Sequence, residues 1–138
     1  MPVSYRILPA RGLVFVRFEG RITVDEAGAA FAAFTRDPDR GPVHKHLLDF
    51  SGVTGWTADF PGLMRLHAGQ LDVLRDAHQE ILYVYHAPEG PARPLARVLL
   101  PSWEEVPGVV ALLQDTEAGA LDLLGQPETS FAVLLQDV

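Results

Sequence analysis

Ser51, His86 and Asp49 are the residue types of a serine hydrolase, but nothing in their spacing orders them into a nucleophile, a base and an orienting acid. A Gly-x-Ser-x-Gly elbow, a Walker loop, a Gly-x-Gly-x-x-Gly turn and a His-Glu-x-x-His pair are all missing from the sequence. No catalytic residue is therefore assigned, and a hydrolase stays a remote alternative. His44 and His46 stand two apart, a spacing that on a strand turns both rings to one side and can chelate a metal. No third ligand has a spacing tied to them, so they read as solvated strand-entry histidines, and neither metal nor cofactor is expected. Arg93 and Arg97 would stand one turn apart on a helix and could grip a carboxylate, although solvated surface arginines are the ordinary reading. His67 falls on an apolar helical stripe with Phe60 and Met64, close in sequence to Trp56; it is either a core histidine or the ionisable group of an apolar binding cavity. Trp103 reads as a plug in the core or a partner anchor.

The elements that must position these residues alternate along the chain. Ser4 to Leu8 and Leu13 to Phe18 are β-prone runs around Pro9-Ala10-Arg11-Gly12, which reads as an antiparallel hairpin ended by Gly20. Thr23-Val24-Asp25-Glu26 has capping-box spacing, and a helix to about Thr35 follows with Ala27, Ala30, Phe31 and Phe34 as its buried stripe. Pro38 and Gly41-Pro42 end it. His46 to Phe50 reads as a third strand, Ser51 to Trp56 as a loop, and Asp59 as the N-cap of a helix to about Asp76 with Pro61 in its first turn. Glu80 to His86 is a fourth strand, apolar on both faces near its middle, as an interior strand should be. A short helix from near Pro94 covers Leu95 to Leu100; Val109 to Leu113 is a fifth strand; and Asp115 is the expected cap of a helix carrying Ala118, Leu121 and Leu124, closed by Gly125. Within residues 126–138, the run Phe131 to Leu135 is either a sixth, edge strand or a packed tail.

Strands alternating with helices require crossovers, which give a mainly parallel sheet with flanking helices. In such a sheet ligands bind at the carboxyl ends of the strands, so Asp49, Thr57, Asp59, His86, Arg93 and Asp115 could converge on one rim. The 138 residues make one domain, 1–138. A composition of 48% hydrophobic and 21% charged residues, with mean hydropathy +0.11, fits a globular core. A net charge of −7 opposes a phosphate backbone and argues against nucleic acid. The lack of cysteine excludes disulfides and thiolate chemistry and agrees with a cytoplasmic setting. No apolar run approaches the ~20 residues of a membrane span.

The element order, with Leu47-Leu48-Asp49-Phe50-Ser51-Gly52-Val53-Thr54 ahead of a helix and the acidic, alanine- and leucine-rich ending Asp115 to Gly125, resembles the STAS family of anti-sigma-factor antagonists and transporter tails. Over roughly residues 3 to 125 it looks like the stand-alone bacterial branch grouped with sporulation-type antagonists. The resemblance implies a STAS-like α/β sandwich and a non-enzymatic binding or regulatory module acting through the second helix and the strand ends. It further implies a phosphorylated serine where that helix begins. The region here reads Gly55-Trp56-Thr57-Ala58-Asp59-Phe60-Pro61-Gly62: no serine stands there, Thr57 is the only hydroxyl nearby, and Asp59 supplies a standing negative charge. The rival is a carrier of an apolar small molecule or lipid, since lipid-transfer CRAL-TRIO proteins share a related topology and Trp56, Phe60, Met64 and His67 could line a cavity. The expected partner is thus an unknown protein or an apolar small molecule, with a homodimer through an edge strand or exposed helix as a further expectation.

Overall fold

The N-terminal hairpin pairs β1 (Val3–Leu8) with β2 (Leu13–Ile22) through a 3-10 turn at Pro9–Arg11. Gly12 closes that turn at φ +62, where a side chain would also collide with the His44 ring, so only glycine fits. The chain continues through α1 (Val24–Arg36), β3 (Lys45–Trp56), α2 (Phe60–Arg75), β4 (Ile81–His86), α3 (Arg93–Leu99), β5 (Val109–Gln114), α4 (Glu117–Leu123) and α5 (Phe131–Gln136). This computed structural model describes residues 2–56, 59–75, 80–104 and 106–136; the side chains of Phe60, Leu63, His67, 71–75 and Ser102 lie outside that description.

The five strands lie in the order β1-β2-β3-β4-β5, antiparallel for the hairpin and parallel from β2 onward. Because each parallel strand adds on the same side of its predecessor, crossovers of one hand deliver every connecting helix to the same face. The apolar clusters agree. Val24, Ala27 and Ala30 of α1 and Leu95 and Ala96 of α3 pack with Phe18, Leu48, Phe50, Tyr83 and Tyr85, the residues of one strand parity. The opposite parity, Leu13, Phe15, Leu47 and Val84, is covered by Ala120, Leu121, Leu124, Phe131 and Leu134 from α4 and α5. α2 packs against α1, with Leu66 facing Gly28.

Several boundaries differ from the sequence expectation, each for a local reason. β2 does not end at Gly20: that glycine adopts φ +74 and the strand bends through it to Ile22. The expected loop Ser51 to Trp56 is instead the second half of β3, still paired with β2. Between Arg17↔Asp49 and Gly20↔Val53 the register slips, as it does again before Arg21↔Gly55. These bulges break the alternation by which the sequence would have announced a strand. Thr116, not Asp115, caps α4, its hydroxyl accepting from the Gly119 N–H at 3.0 Å. The run Phe131 to Leu135 is helical, which removes the edge-strand alternative and leaves the packed tail. The Ser130 hydroxyl accepts from the Val133 N–H, and Phe131 and Leu134, three apart, are both buried. Other signals read true: Thr23 and Glu26 form the reciprocal capping box, and Asp59 Oδ1 accepts from the Gly62 N–H at 3.0 Å with Pro61 in the first turn.

Candidate functional site

Arg17, Asp49, His86 and Gln114 stand opposite one another across β2, β3, β4 and β5. The row lies one step beyond the apolar layer Phe15, Leu47, Val84 and Leu112 on the α4–α5 face, so four adjacent strands turn polar at the same level. Asp49 is its centre. One carboxylate oxygen, Oδ1, accepts from the Ser51 N–H at 3.0 Å, the Ser51 hydroxyl at 2.7 Å and His86 Nδ1 at 2.9 Å. The other oxygen lies 3.5 Å from Arg17 Nε, whose guanidinium covers the Phe15 ring at 5.0 Å. Burial by itself would raise the Asp49 pKa, but the hydrogen bonds from His86 and Ser51 outweigh it and hold the carboxyl below the usual range. By turning back to serve the side chain two residues earlier, the Ser51 N–H leaves the ladder, which accounts for the bulge at that point. The Phe131 ring edges onto His86 at 5.0 Å and seals the row from the tail side.

The three residues of a hydrolase are thus brought together, but in an order that does not activate a nucleophile. Activation requires the hydroxyl to face the imidazole with the carboxylate behind it. Here the carboxylate stands between the two, and the Ser51 hydroxyl donates into it. The arrangement fixes the middle of β3 against the end of β4 in register.

On the other face of the sheet lies an apolar cavity with two lobes of about 80 and 60 Å³. Phe18, Ala27, Leu48, Gln70 and Tyr83 border both lobes. The larger extends to Trp56, Leu66 and Leu99, and the smaller to His46, Tyr5 and Phe34. Leu66, which borders the cavity, also lies beside Gly28 of α1.

The sheet divides the residues the sequence pointed to. Asp49 and His86 are buried on the α4–α5 face, whereas Trp56 borders the cavity on the opposite face. Met64 is 48% exposed, and among the described side chains of α2 it is Leu66 and Gln70 that reach the cavity. Asp59 serves as a helix cap. Arg93 opens α3 and donates from Nη1 to the Ala87 carbonyl at 3.2 Å, tying the helix to the exit of β4, while Arg97 is exposed. Of the residues expected on one rim, Asp49 and His86 are brought into contact, and Arg93 is tied to the exit of β4. Thr57 and the side chains of Phe60 and His67 lie outside the described residues.

His46 corrects the solvated reading of the histidine pair. It is 6% exposed, stacked on Tyr83 at 5.0 Å with Phe34 edge-on, while His44 keeps to the surface with Nδ1 beside the Pro42 carbonyl. No cluster of three metal-ligating side chains exists among the described residues. Trp103 plugs the core, its indole N–H donating to the Tyr85 hydroxyl at 2.9 Å. Sequence reasoning missed Arg17, Gln114 and Tyr83, and took His46 for a solvated residue. The first two could have been found by aligning the apolar centres of the strands, since in each the polar residue follows at the same offset. No described helix is long and apolar enough to cross a membrane.

No family model matches the sequence, and no curated protein matches it. Among solved structures, the anti-sigma factor antagonist SpoIIAA in its unphosphorylated form is similar at 16% identity and a TM-score of 0.53, over 89% of this chain and 97% of that one. The likeness shows the fold: this chain has the STAS-like α/β fold of SpoIIAA, N-terminal hairpin included.

Proposed function

We propose that the chain is a STAS-like binding or regulatory module without catalytic activity, acting through α2 and the strand-end surface on a protein partner. The observation that carries this reading is the placement of α2. It follows the carboxyl end of β3, rests on α1, and presents Met64 to solvent at 48% exposure. We take this side chain as the point of contact with an apolar partner surface. Support comes from the shared fold with a protein named an anti-sigma factor antagonist and from the Ser51–Asp49–His86 order, which favours a structural over a hydrolytic role. The net charge of −7 favours a protein over a nucleic acid. We place the module in the cytoplasm, with Thr57 as the one hydroxyl at which phosphorylation would act and the outer edge of β5 as the route to a homodimer.

Affinity capture from lysate with the wild-type chain and with Met64→Glu tests the reading. A specific protein retained by the first and lost by the second, at equal thermal stability, is the expected result. Retention of the same proteins by both overturns it.

A carrier of an apolar small molecule is the second reading, and the cavity beneath α1 and α2 favours it. Lobes of about 80 and 60 Å³ fall well short of the several hundred Å³ that a lipid or drug-sized ligand occupies. A carried molecule would be small.

A further inference from the structure

Two buried rings beneath α1 and α2 carry polar atoms that the protein itself does not use. His46 is 6% exposed, and no hydrogen bond to either ring nitrogen forms among the described residues. Tyr83 is 5% exposed, and its hydroxyl likewise has none, whereas that of neighbouring Tyr85 accepts from the Trp103 indole. Since neither group is sealed from the pocket beside it, a molecule entering there can take up its free hydrogen-bonding capacity. Both rings border the cavity, His46 in the smaller lobe and Tyr83 in both, and the amide-bearing Gln70 of α2 borders both as well. An apolar pocket with a few convergent polar groups is the usual form of a small-molecule site.

We propose that this cavity binds a small neutral molecule of about the size of one aromatic ring, its apolar body in the lobe of Trp56, Leu95 and Leu99 and its one hydroxyl or carbonyl group at Tyr83, His46 and Gln70. The inference rests on the carrier reading and names the class of ligand. Neutrality follows from the lining: among the described residues neither lobe is bordered by Asp, Glu, Lys or Arg, so a charged head group would be buried without a counter-charge. Burial also pulls His46 down to about 4, which keeps its ring uncharged near neutral pH, with one nitrogen to donate and one to accept. Size follows from the volume: lobes of about 80 and 60 Å³ together approach the roughly 150 Å³ of an apolar cavity that holds benzene.

Titration of the full chain with p-cresol, toluene, benzoate and palmitate, followed by calorimetry and by imidazole nitrogen NMR, tests the proposal. Expected is binding of p-cresol at least tenfold tighter than toluene, with a shift of the His46 resonances, and no binding of benzoate. Tyr83→Phe removes one oxygen without disturbing the packing, and His46→Phe removes both nitrogens. Each should bring p-cresol toward the affinity of toluene and leave toluene unchanged. Equal affinity of the wild type for p-cresol and toluene overturns the polar anchor. Binding of palmitate but not p-cresol overturns the ligand class while sparing the carrier reading, and binding of none of the four overturns both.

Discussion

Asp49 concentrates three donors on one oxygen, so its charge is worth most where it is most needed and fails where it can be titrated. A hydrogen bond to a charged group contributes about 1.5–3 kcal/mol, and Asp49→Asn is expected to lower stability by that order at neutral pH. Because the folded-state pKa lies below the ordinary carboxyl value of 3.8, the contribution is fully present above that value and is lost as pH falls through the folded one. Urea unfolding of both proteins should therefore show their difference shrinking below about pH 4; a difference that persists undiminished into strong acid would refute the assignment. His46 gives a second window by the same sign. Its unfolded value of 6.5 drops to about 4 on burial, so stability is lost as pH falls between those values. The slope is at most about 1.4 kcal/mol per pH unit, and His46→Phe should abolish it. The same residue shows where sequence reading stops. His44-Lys45-His46 reads as a polar strand entry, and what buries the last ring is Phe34, twelve residues earlier on a helix. The candidates Asp49 and His86 were legible as residue types. Their hydrogen bond, across 37 positions, was not.

At the scale of elements, local chemistry was readable and long-range register was not. The capping box at Thr23 and the cap at Asp59 are satisfied within three residues, so the helices they start could be placed from sequence. Thr23→Ala should cost about 1 kcal/mol, measured as a shift of the denaturation midpoint with an unchanged slope. A loss of several kcal/mol would mean that the cap also supports the sheet. The second half of β3 escaped because its bulges cancel the period of two, and α5 escaped because six residues are too few to separate a helical from an extended apolar run. That short helix nonetheless closes one face of the protein. Phe131 touches Phe15 and His86, its N–H donates to Glu117 Oε1 at 2.7 Å, and Glu128 forms a two-point ion pair with Arg11. Truncating a buried phenylalanine costs about 3–5 kcal/mol, so Phe131→Ala should destabilise the protein by that order. An effect below about 1 kcal/mol would show that the tail is a loosely attached appendage.

For the whole molecule, the decisive feature is that two apolar layers share one set of strands. The common face of α1 and α3 follows from consecutive parallel strands and crossovers of one hand. The division of Asp49 and His86 from Trp56 follows from the same geometry once strand parity is tracked. Neighbouring residues point to opposite layers: Leu47 belongs to the tail-side core and Leu48 to the helix-side core. Neither core can therefore come apart while the other stays intact, because β2, β3 and β4 are the floor of both. Thermal unfolding is accordingly expected to be a single transition, with calorimetric and van't Hoff enthalpies equal. For 138 residues the heat-capacity increment should be about 1.7–2.1 kcal/mol/K. Phe131→Ala in one layer and Leu95→Ala in the other should each lower the midpoint of that one transition, since both loosen the same strands. Two resolved transitions, each sensitive to only one of these substitutions, would show instead that the layers are independent units.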